Sequence, residues 1–512
     1  MILTTKGRYA VLAALYIAKY GEGKSVPLSE ISSLQNISLN YLEQIFAKLR
    51  KAGVVESIRG PGGGYKLSKS PDEIYIYQIT KSVEEKIKIT QCGNKRDKAC
   101  LPKAVKCMAH DLWRRLEDNV KDFLRDITLS DVIGRVAPNI YLDYNATSPT
   151  LASAARVMMQ LLRDPANASS THFHGRKAKG ILENARDIIA DKLGIKTGRD
   201  AFDICFCSSG TEANNLLLHN FIDRNIVLTS IEHLSILEPS ALNSQRIIVE
   251  VDADGLINLE SFEEIARSLE KPSLISVIYA NNETGIIQDL KTICGIAHKY
   301  NHLVHSDLVQ AFGKISCNIA ELGLDFATIS SHKIGGPLGA AALIHRSNFV
   351  IKSQIVGGGQ EKGRRAGTEN LPAIAGFAEA AKEIDTRITK LESIKNTRDF
   401  LESQIKEICP NAIIFSSDKQ RLPNTSMISM LGVDIQTQLI YFDINGISIS
   451  SGAACSSGKV VASHVVRAMG YSELEAKSAI RVSLGPETQI EEIQKFISIW
   501  KNLWEKNNKK VA

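Results

Sequence analysis

Apolar residues stand three apart at Leu28, Ile31 and Leu34, which predicts a short helix over residues 27–37. The pattern breaks at Asn36-Ile37-Ser38 and resumes at Leu42, Ile45, Phe46 and Leu49. Those four make the buried face of a second helix, which Ser38 is placed to cap. Its other face offers Asn40, Tyr41, Glu43, Gln44 and Lys48. Val54-Val55-Glu56-Ser57-Ile58-Arg59 then reads as a strand, Gly60-Pro61-Gly62-Gly63-Gly64 as a turn, and Tyr65-Lys66-Leu67 as the returning strand. Further on, Leu112, Leu116, Val120, Phe123, Leu124 and Ile127 share one helical face, suited to a dimer seam or to ordinary packing. From about residue 139 the texture changes. Apolar runs at 203–206, 226–228, 247–249, 274–278, 303–305 and 326–329 alternate with helical stretches. That alternation predicts a parallel sheet covered by helices on both faces, with its chemistry at the carboxyl ends of the strands.

Two short helices, a tight turn and a hairpin form a winged helix-turn-helix pattern. The exposed face of the second helix would meet a major groove, and Arg59 at the hairpin base a minor groove. The chain has 512 residues, enough for about three domains. Its 44% hydrophobic and 23% charged residues exclude disorder and collagen-like repeats. No apolar run approaches the ~18–20 residues of a membrane span. Residues 10–18 follow Lys6 and Arg8 and mimic a secretion signal, but Lys19 ends the run and no small-residue cleavage site follows; they are expected to form a first helix. The net charge of +6 is uneven: residues 1–136 carry 23 basic and 15 acidic side chains, against 39 and 41 in the rest. Such asymmetry suits a nucleic-acid-binding segment joined to a neutral enzyme, or merely a solvated basic face. Nine cysteines, three of them within sixteen residues and the others scattered, suggest a reducing, cytoplasmic setting with thiols used for ligation or catalysis.

Candidate chemistry gathers at a few places. Cys92, Cys100, Cys107 and His110 could hold a two-iron cluster or zinc, or be plain core thiols. Ser208-Ser209-Gly210-Thr211-Glu212-Ala213-Asn214 ends a strand and opens a helix, a phosphate seat or a simple cap. Asp307 ends another strand with Gln310 beyond it, and a carboxylate there could hold a protonated ring nitrogen. Ser330-Ser331-His332-Lys333 ends a third strand, where a lysine could form a Schiff base, although most lysines are merely exposed. Seat, acid and lysine on three strand ends together describe a pyridoxal 5′-phosphate site. Near the end, Ser450-Ser451-Gly452-Ala453-Ala454-Cys455-Ser456-Ser457-Gly458 either exposes a thiol on a loop of small residues or folds as a buried turn.

Residues 1–133 resemble the IscR-type winged-helix regulators, through LTTKGRYAV, ISLNYLEQIFAKLRKAG, IRGPGGGYKLS and the Cys/Cys/Cys/His set followed by ITLSDVI. The resemblance implies a dimeric protein that binds double-stranded DNA and senses a [2Fe–2S] cluster on Cys92, Cys100, Cys107 and His110. Glu43 and Arg59 match its specificity and wing positions, and the cysteine gaps are slightly wider than the family's. Residues 139–500 resemble the NifS/IscS cysteine desulfurases, through YLDYNATSP, NASSTHFHGRKA, CSSGTEANN, NNETGIIQ, HSDLVQAFGK, SSHKIGGPLGAAAL, GGGQEKGRRAGTEN, SSGAACSSG and IRVSLGPET.

This second resemblance implies a fold type I pyridoxal-phosphate transferase. A regulator domain would fill 1–136 and a desulfurase 137–512, with a large domain at about 151–375 and a small one built from 137–150 and 376–512. Lys333 would link the cofactor, Asp307 pair its ring nitrogen, Asn282 and Gln310 flank its hydroxyl, and His233 stack on it. Gly210, Thr211, Ser330 and His332 would hold the phosphate. Thr368 would reach the phosphate of a neighbouring subunit, which implies a homodimer. Asn167 and Arg481 would grip the carboxylate of L-cysteine, and Cys455 would take its sulfur as a persulfide for an acceptor or cluster-scaffold protein, leaving L-alanine. Leu308 and Ala168 depart from the pattern. Two alternatives stand beside this reading: an N-terminal part that only dimerises or docks a partner, and selenocysteine as substrate.

Overall fold

The computed structural model describes residues 5–21, 24–35, 37–58, 60, 63–83, 117–118, 120–122, 124–136, 140–165, 167–198, 201–452 and 462–511. Arg59, Cys92, Cys100, Cys107, His110 and Cys455 lie outside the described residues. The chain divides into two units, Met1–Asn139 and Ile140–Ala512. No helix among the described residues is long and apolar enough to cross a membrane.

In the first unit the run at residues 10–18 lies inside α1 (Thr5–Tyr20), which buries Ala10, Ala13, Ala14 and Ile17. Next come α2 (Leu28–Gln35) and α3 (Leu39–Lys51). The 3–1–3 spacing of Leu42, Ile45, Phe46 and Leu49 puts all four on the buried face of α3. Asn40, Glu43 and Gln44 are exposed, and Tyr41 is half-buried with its ring edge-on to Tyr9, 6.0 Å between centroids. Ser38 takes the N-cap position without a side-chain cap. Its main-chain carbonyl instead accepts the N–H groups of Tyr41 and Leu42, each at 3.1 Å, and its exposed side chain is left to water. The antiparallel hairpin β1 (Val55–Ile58) and β2 (Gly64–Leu67) follows. Gly64 is required there, because a Cβ would stand 2.3 Å from the Val26 carbonyl oxygen, where Val26 bridges to Tyr65. Leu124 and Ile127 pack against this unit's own core.

The second unit is built on a seven-stranded sheet. Its strands are β3 (Phe202–Cys207), β4 (Ile226–Thr229), β5 (Arg246–Val249), β6 (Leu274–Ser276), β7 (Leu303–Asp307), β8 (Phe326–Ser330) and β9 (Ala341–Arg346). The spatial order is β3-β9-β8-β7-β6-β4-β5. Most of its ladders are parallel, and β9 runs antiparallel to both its neighbours. Strands such as β3 and β8 are buried at every position, as a sheet sandwiched between helices requires. One face packs on Leu182, Ile189, Phe312 and Phe377, the other on Leu216, Leu217, Phe221 and Ile236. A smaller antiparallel sheet joins β10 (Ile413–Ile414), β11 (Thr425–Ser429) and β12 (Ala479–Ser483). Beside it Ile140–Tyr141 pairs in parallel with Ile447–Ser448, so the start of the unit joins its C-terminal part.

The segment after β9 is tied back to β3 by buried charge. Glu361, in the left-handed region at φ 46°, receives Arg186 Nη1 at 3.2 Å, Arg186 Nη2 at 3.1 Å and the Phe206 N–H at 2.8 Å. Without Glu361 the buried Arg186 guanidinium keeps only the more exposed Glu183, at 3.3 Å, as a charged partner. Glu361→Ala is therefore expected to destabilise the second unit by roughly 3–5 kcal/mol, read from its denaturant midpoint. An unchanged midpoint would contradict the pairing.

Candidate active site

Three strand ends are brought to one edge by register. Ala341 of β9 pairs with Cys207 on one side and Ser330 on the other, so β3 and β8 end level. Asp307 of β7 pairs with Thr328, one pleat away. After β3, Ser209 caps the helix Gly210–His219 by accepting the Glu212 N–H at 3.1 Å. The Glu212 carboxylate returns to the Ser208 N–H at 2.8 Å and is held by Arg365 at 2.7 Å. This places Gly210 and Thr211, at a helix N-terminus whose first N–H groups lack intrahelical partners, on the wall of a cavity of about 390 Å³.

That cavity is lined by Gly210, Thr211, His233, Asn282, Asp307, Gln310, Ser330, His332, Lys333 and Arg481. Asn167 and Thr368 are exposed and do not line it. The Asn167 side chain accepts the N–H of Ser169 at 2.9 Å.

Lys333 Nζ donates to the main-chain carbonyls of Asn145 at 2.6 Å and Ala146 at 2.8 Å. Burial, then the Arg481 guanidinium, push its amine down to about 8, against the pull of Asp143 and Asp307. Asp307 is 4% exposed; it accepts Asn214 Nδ2 at 3.0 Å and the Val309 N–H at 2.9 Å. His233 is the N-cap of the helix Leu234–Ser240, and its Nδ1 contacts Ser235 Oγ at 2.8 Å. Burial lowers its pKa, opposed by Asp307. Burial, helped by Lys333, takes His332 down to about 4, so at neutral pH its ring is an uncharged hydrogen-bonding group. Arg481 is 3% exposed. Its Nη2 pairs with Asp143 at 2.6 Å and its Nη1 donates to the Asn282 carbonyl at 3.1 Å.

Sequence reasoning missed several members of this network. Asn145 and Ala146 supply the carbonyls that receive Lys333, Asn214 orients Asp307, and Asp143 orients Arg481. All four lie inside strings already singled out, YLDYNATSP and CSSGTEANN, so the signal was position within a motif rather than residue type.

A family model described as Aminotransferase class-V matches residues 140–496, and one described as Iron-dependent Transcriptional regulator, Rrf2, matches residues 3–135. The cysteine desulfurase IscS of Dictyoglomus turgidum is 32% identical over 383 residues, covering 72% of this chain and 95% of that protein. IscS 1 of Archaeoglobus fulgidus is 34% identical over 372 residues, covering 70% and 95%. The X-ray structure of a NifS-like protein from Rickettsia africae superposes with a TM-score of 0.67 at 43% identity, covering 72% of this chain and 99% of that one. A structure titled SspA in complex with cysteine superposes at 0.59 with 28% identity, covering 68% and 100%.

Proposed function

The chain belongs to the class-V aminotransferase family as a cysteine desulfurase of the NifS/IscS type that carries an Rrf2 segment ahead of the enzyme, and from that premise we propose how its residues divide the work. The observation that carries the reading is the convergence of Lys333, Asp307 and the Gly210–Thr211 turn on one cavity. The residues present fit pyridoxal 5′-phosphate. Helix N–H groups and the hydroxyls of Thr211 and Ser330 suit a phosphate, a buried carboxylate suits a protonated ring nitrogen, and an amine lowered to about 8 suits an aldehyde. Gly210, Thr211, Ser330 and His332 would hold the phosphate, Asp307 the ring nitrogen, Asn282 and Gln310 the ring hydroxyl, with His233 against the ring face. The cofactor, when bound, supplies an electron sink beside the substrate α-carbon.

The chain's own groups do the rest. Arg481 binds the carboxylate of L-cysteine, and its tether to Asp143 keeps the guanidinium aimed. Asn167 would join it at that carboxylate. Lys333 takes and returns the proton at the α-carbon, a role that an amine near 8 fills at neutral pH. Cys455, as thiolate, attacks the substrate sulfur; the new S–S bond forms as the Cβ–S bond breaks, and protonation of the carbon leaves L-alanine. The persulfide then passes to an acceptor or cluster-scaffold protein. The exposure of Thr368 supports its reaching a neighbouring subunit in a homodimer.

For the first unit we propose a cytoplasmic, DNA-binding regulator with a [2Fe–2S] cluster on Cys92, Cys100, Cys107 and His110. Support comes from the exposed Asn40, Glu43 and Gln44 on α3, the hairpin beyond it and the local excess of basic charge. In this reading Tyr41 and Arg59 also face the DNA. A gel shift with salt titration is expected to show affinity falling steeply, with a log–log slope of about −0.9 per phosphate contact. Affinity that ignores salt would leave a docking module instead. A visible spectrum of protein purified without oxygen tests both halves at once, since borohydride abolishes the absorbance of a lysine-linked cofactor and dithionite bleaches that of a cluster.

A further inference from the structure

A charged lysine inside a protein needs a carboxylate close by, or it gives up its proton. Lys314 is 1% exposed. The charges that face it are Lys333, Arg387 and Arg481, with Asp143 as the one opposing carboxylate. Burial, reinforced by the three cations, pushes its amine well below the lysine range. A neutral amine has two N–H donors, and Lys314 meets two acceptors: Asn145 Oδ1 at 2.5 Å and Gln310 Oε1 at 2.6 Å.

The bond to Gln310 sets which way that amide faces, and the bond to Asn145 does so together with Asn424, whose Nδ2 donates to the same Oδ1 at 3.3 Å. Asn145 is left to give its Nδ2 to the Asn282 carbonyl at 3.1 Å and to Thr425 Oγ1 at 2.9 Å. Gln310 is left to give its Nε2 to the main-chain carbonyl of Asn145 at 2.9 Å. The same carbonyl receives Lys333 Nζ at 2.6 Å. Lys333 itself faces Arg481, Asp143 and Asp307.

We propose that Lys314 is a positioning residue for the desulfurase reaction: its amine locks the amide of Gln310, helps Asn424 fix that of Asn145, and through them holds the Asn145 carbonyl against the amine of Lys333. This rests on Lys333 being the lysine that joins the cofactor. Lys333→Ala tests that assignment separately, and a visible cofactor band surviving there overturns both.

The test uses full-length wild type, Lys314→Met and Lys314→Gln, each stripped of cofactor. Capture of added pyridoxal 5′-phosphate is followed at its visible band from neutral to alkaline pH. Capture needs the neutral amine of Lys333, so its pH midpoint reports that amine directly. A hydrogen bond to an ammonium raises its pKa, and losing a well-placed acceptor lowers it. Lys314→Met is expected to move the midpoint down by about one unit, a tenfold change in the proton equilibrium. Lys314→Gln, with an amide donor in place of the amine, recovers part of that shift. Thermal unfolding shows whether each variant is folded; if Lys314→Met is not, Lys314→Gln carries the test with the same sign. A midpoint that stays in place in a folded variant overturns the proposal. So does an upward shift, the sign expected if Lys314 bore a charge repelling Lys333.

Discussion

Lys333→Ala is expected to lower L-alanine formation from L-cysteine by a factor of at least about 10²–10⁴, the usual worth of a positioned acid–base group, and to remove the visible band of lysine-linked cofactor. The amine is set up for that work by its surroundings. Burial brings it to about 8, and the Asn145 and Ala146 carbonyls fix where its protons lie. A base must be neutral to accept a proton, so the step that uses Lys333 should quicken as pH rises and level off above about 8. Lys314 cannot stand in for it, because its Nζ is held by Asn145 and Gln310 and it does not line the cavity. Added primary amines, which restore a proton acceptor without a tether, should recover part of the lost rate. The assignment falls if the variant keeps both the band and the turnover.

The three strand ends were legible because each strand is an apolar run that stops at a short polar string. Cys207, Asp307 and Ser330 all close runs that periodicity predicts. β9 was not legible. Ala341-Ala342-Leu343-Ile344 carries little β preference of its own and becomes a strand because it fills the slot between β3 and β8. The Ser38 cap failed for a related reason: a capping residue type marks the place, but the hydroxyl's partner is chosen by its surroundings. Asn145 and Lys314 were opaque on a larger scale. Asn145 lies 169 positions from Lys314 and 188 from Lys333, so no local pattern could announce that it joins them. The residues singled out by resemblance reach further than periodicity does, since most of them line one cavity. Even so, Asn167 and Thr368 stand outside the cavity that the others line.

Cys455→Ser is expected to keep the cofactor band and the binding of L-cysteine while persulfide formation falls by a factor on the order of 10⁴–10⁶, as when other enzymes lose a nucleophile. Gly452 lines the cavity, and Ser450 pairs with Arg481 through both main-chain bonds, at 3.2 and 2.7 Å. Cys455 follows three residues beyond Gly452. No described cysteine offers a substitute. Cys205, Cys207, Cys294, Cys317 and Cys409 are all buried. Burial raises the thiol of Cys317 and takes Cys294 up to about 12, while Cys207 is raised by its neighbour Cys205 and by burial. Such thiols stay protonated at neutral pH, and the thiolate is the attacking species. Serine keeps the shape of the side chain but is a far weaker nucleophile, so substrate should bind and stop. Mass spectrometry of the full chain after one turnover reads the result as a gain of one sulfur atom in the wild type and none in the variant. Persulfide appearing on another cysteine at the wild-type rate would move the nucleophile elsewhere.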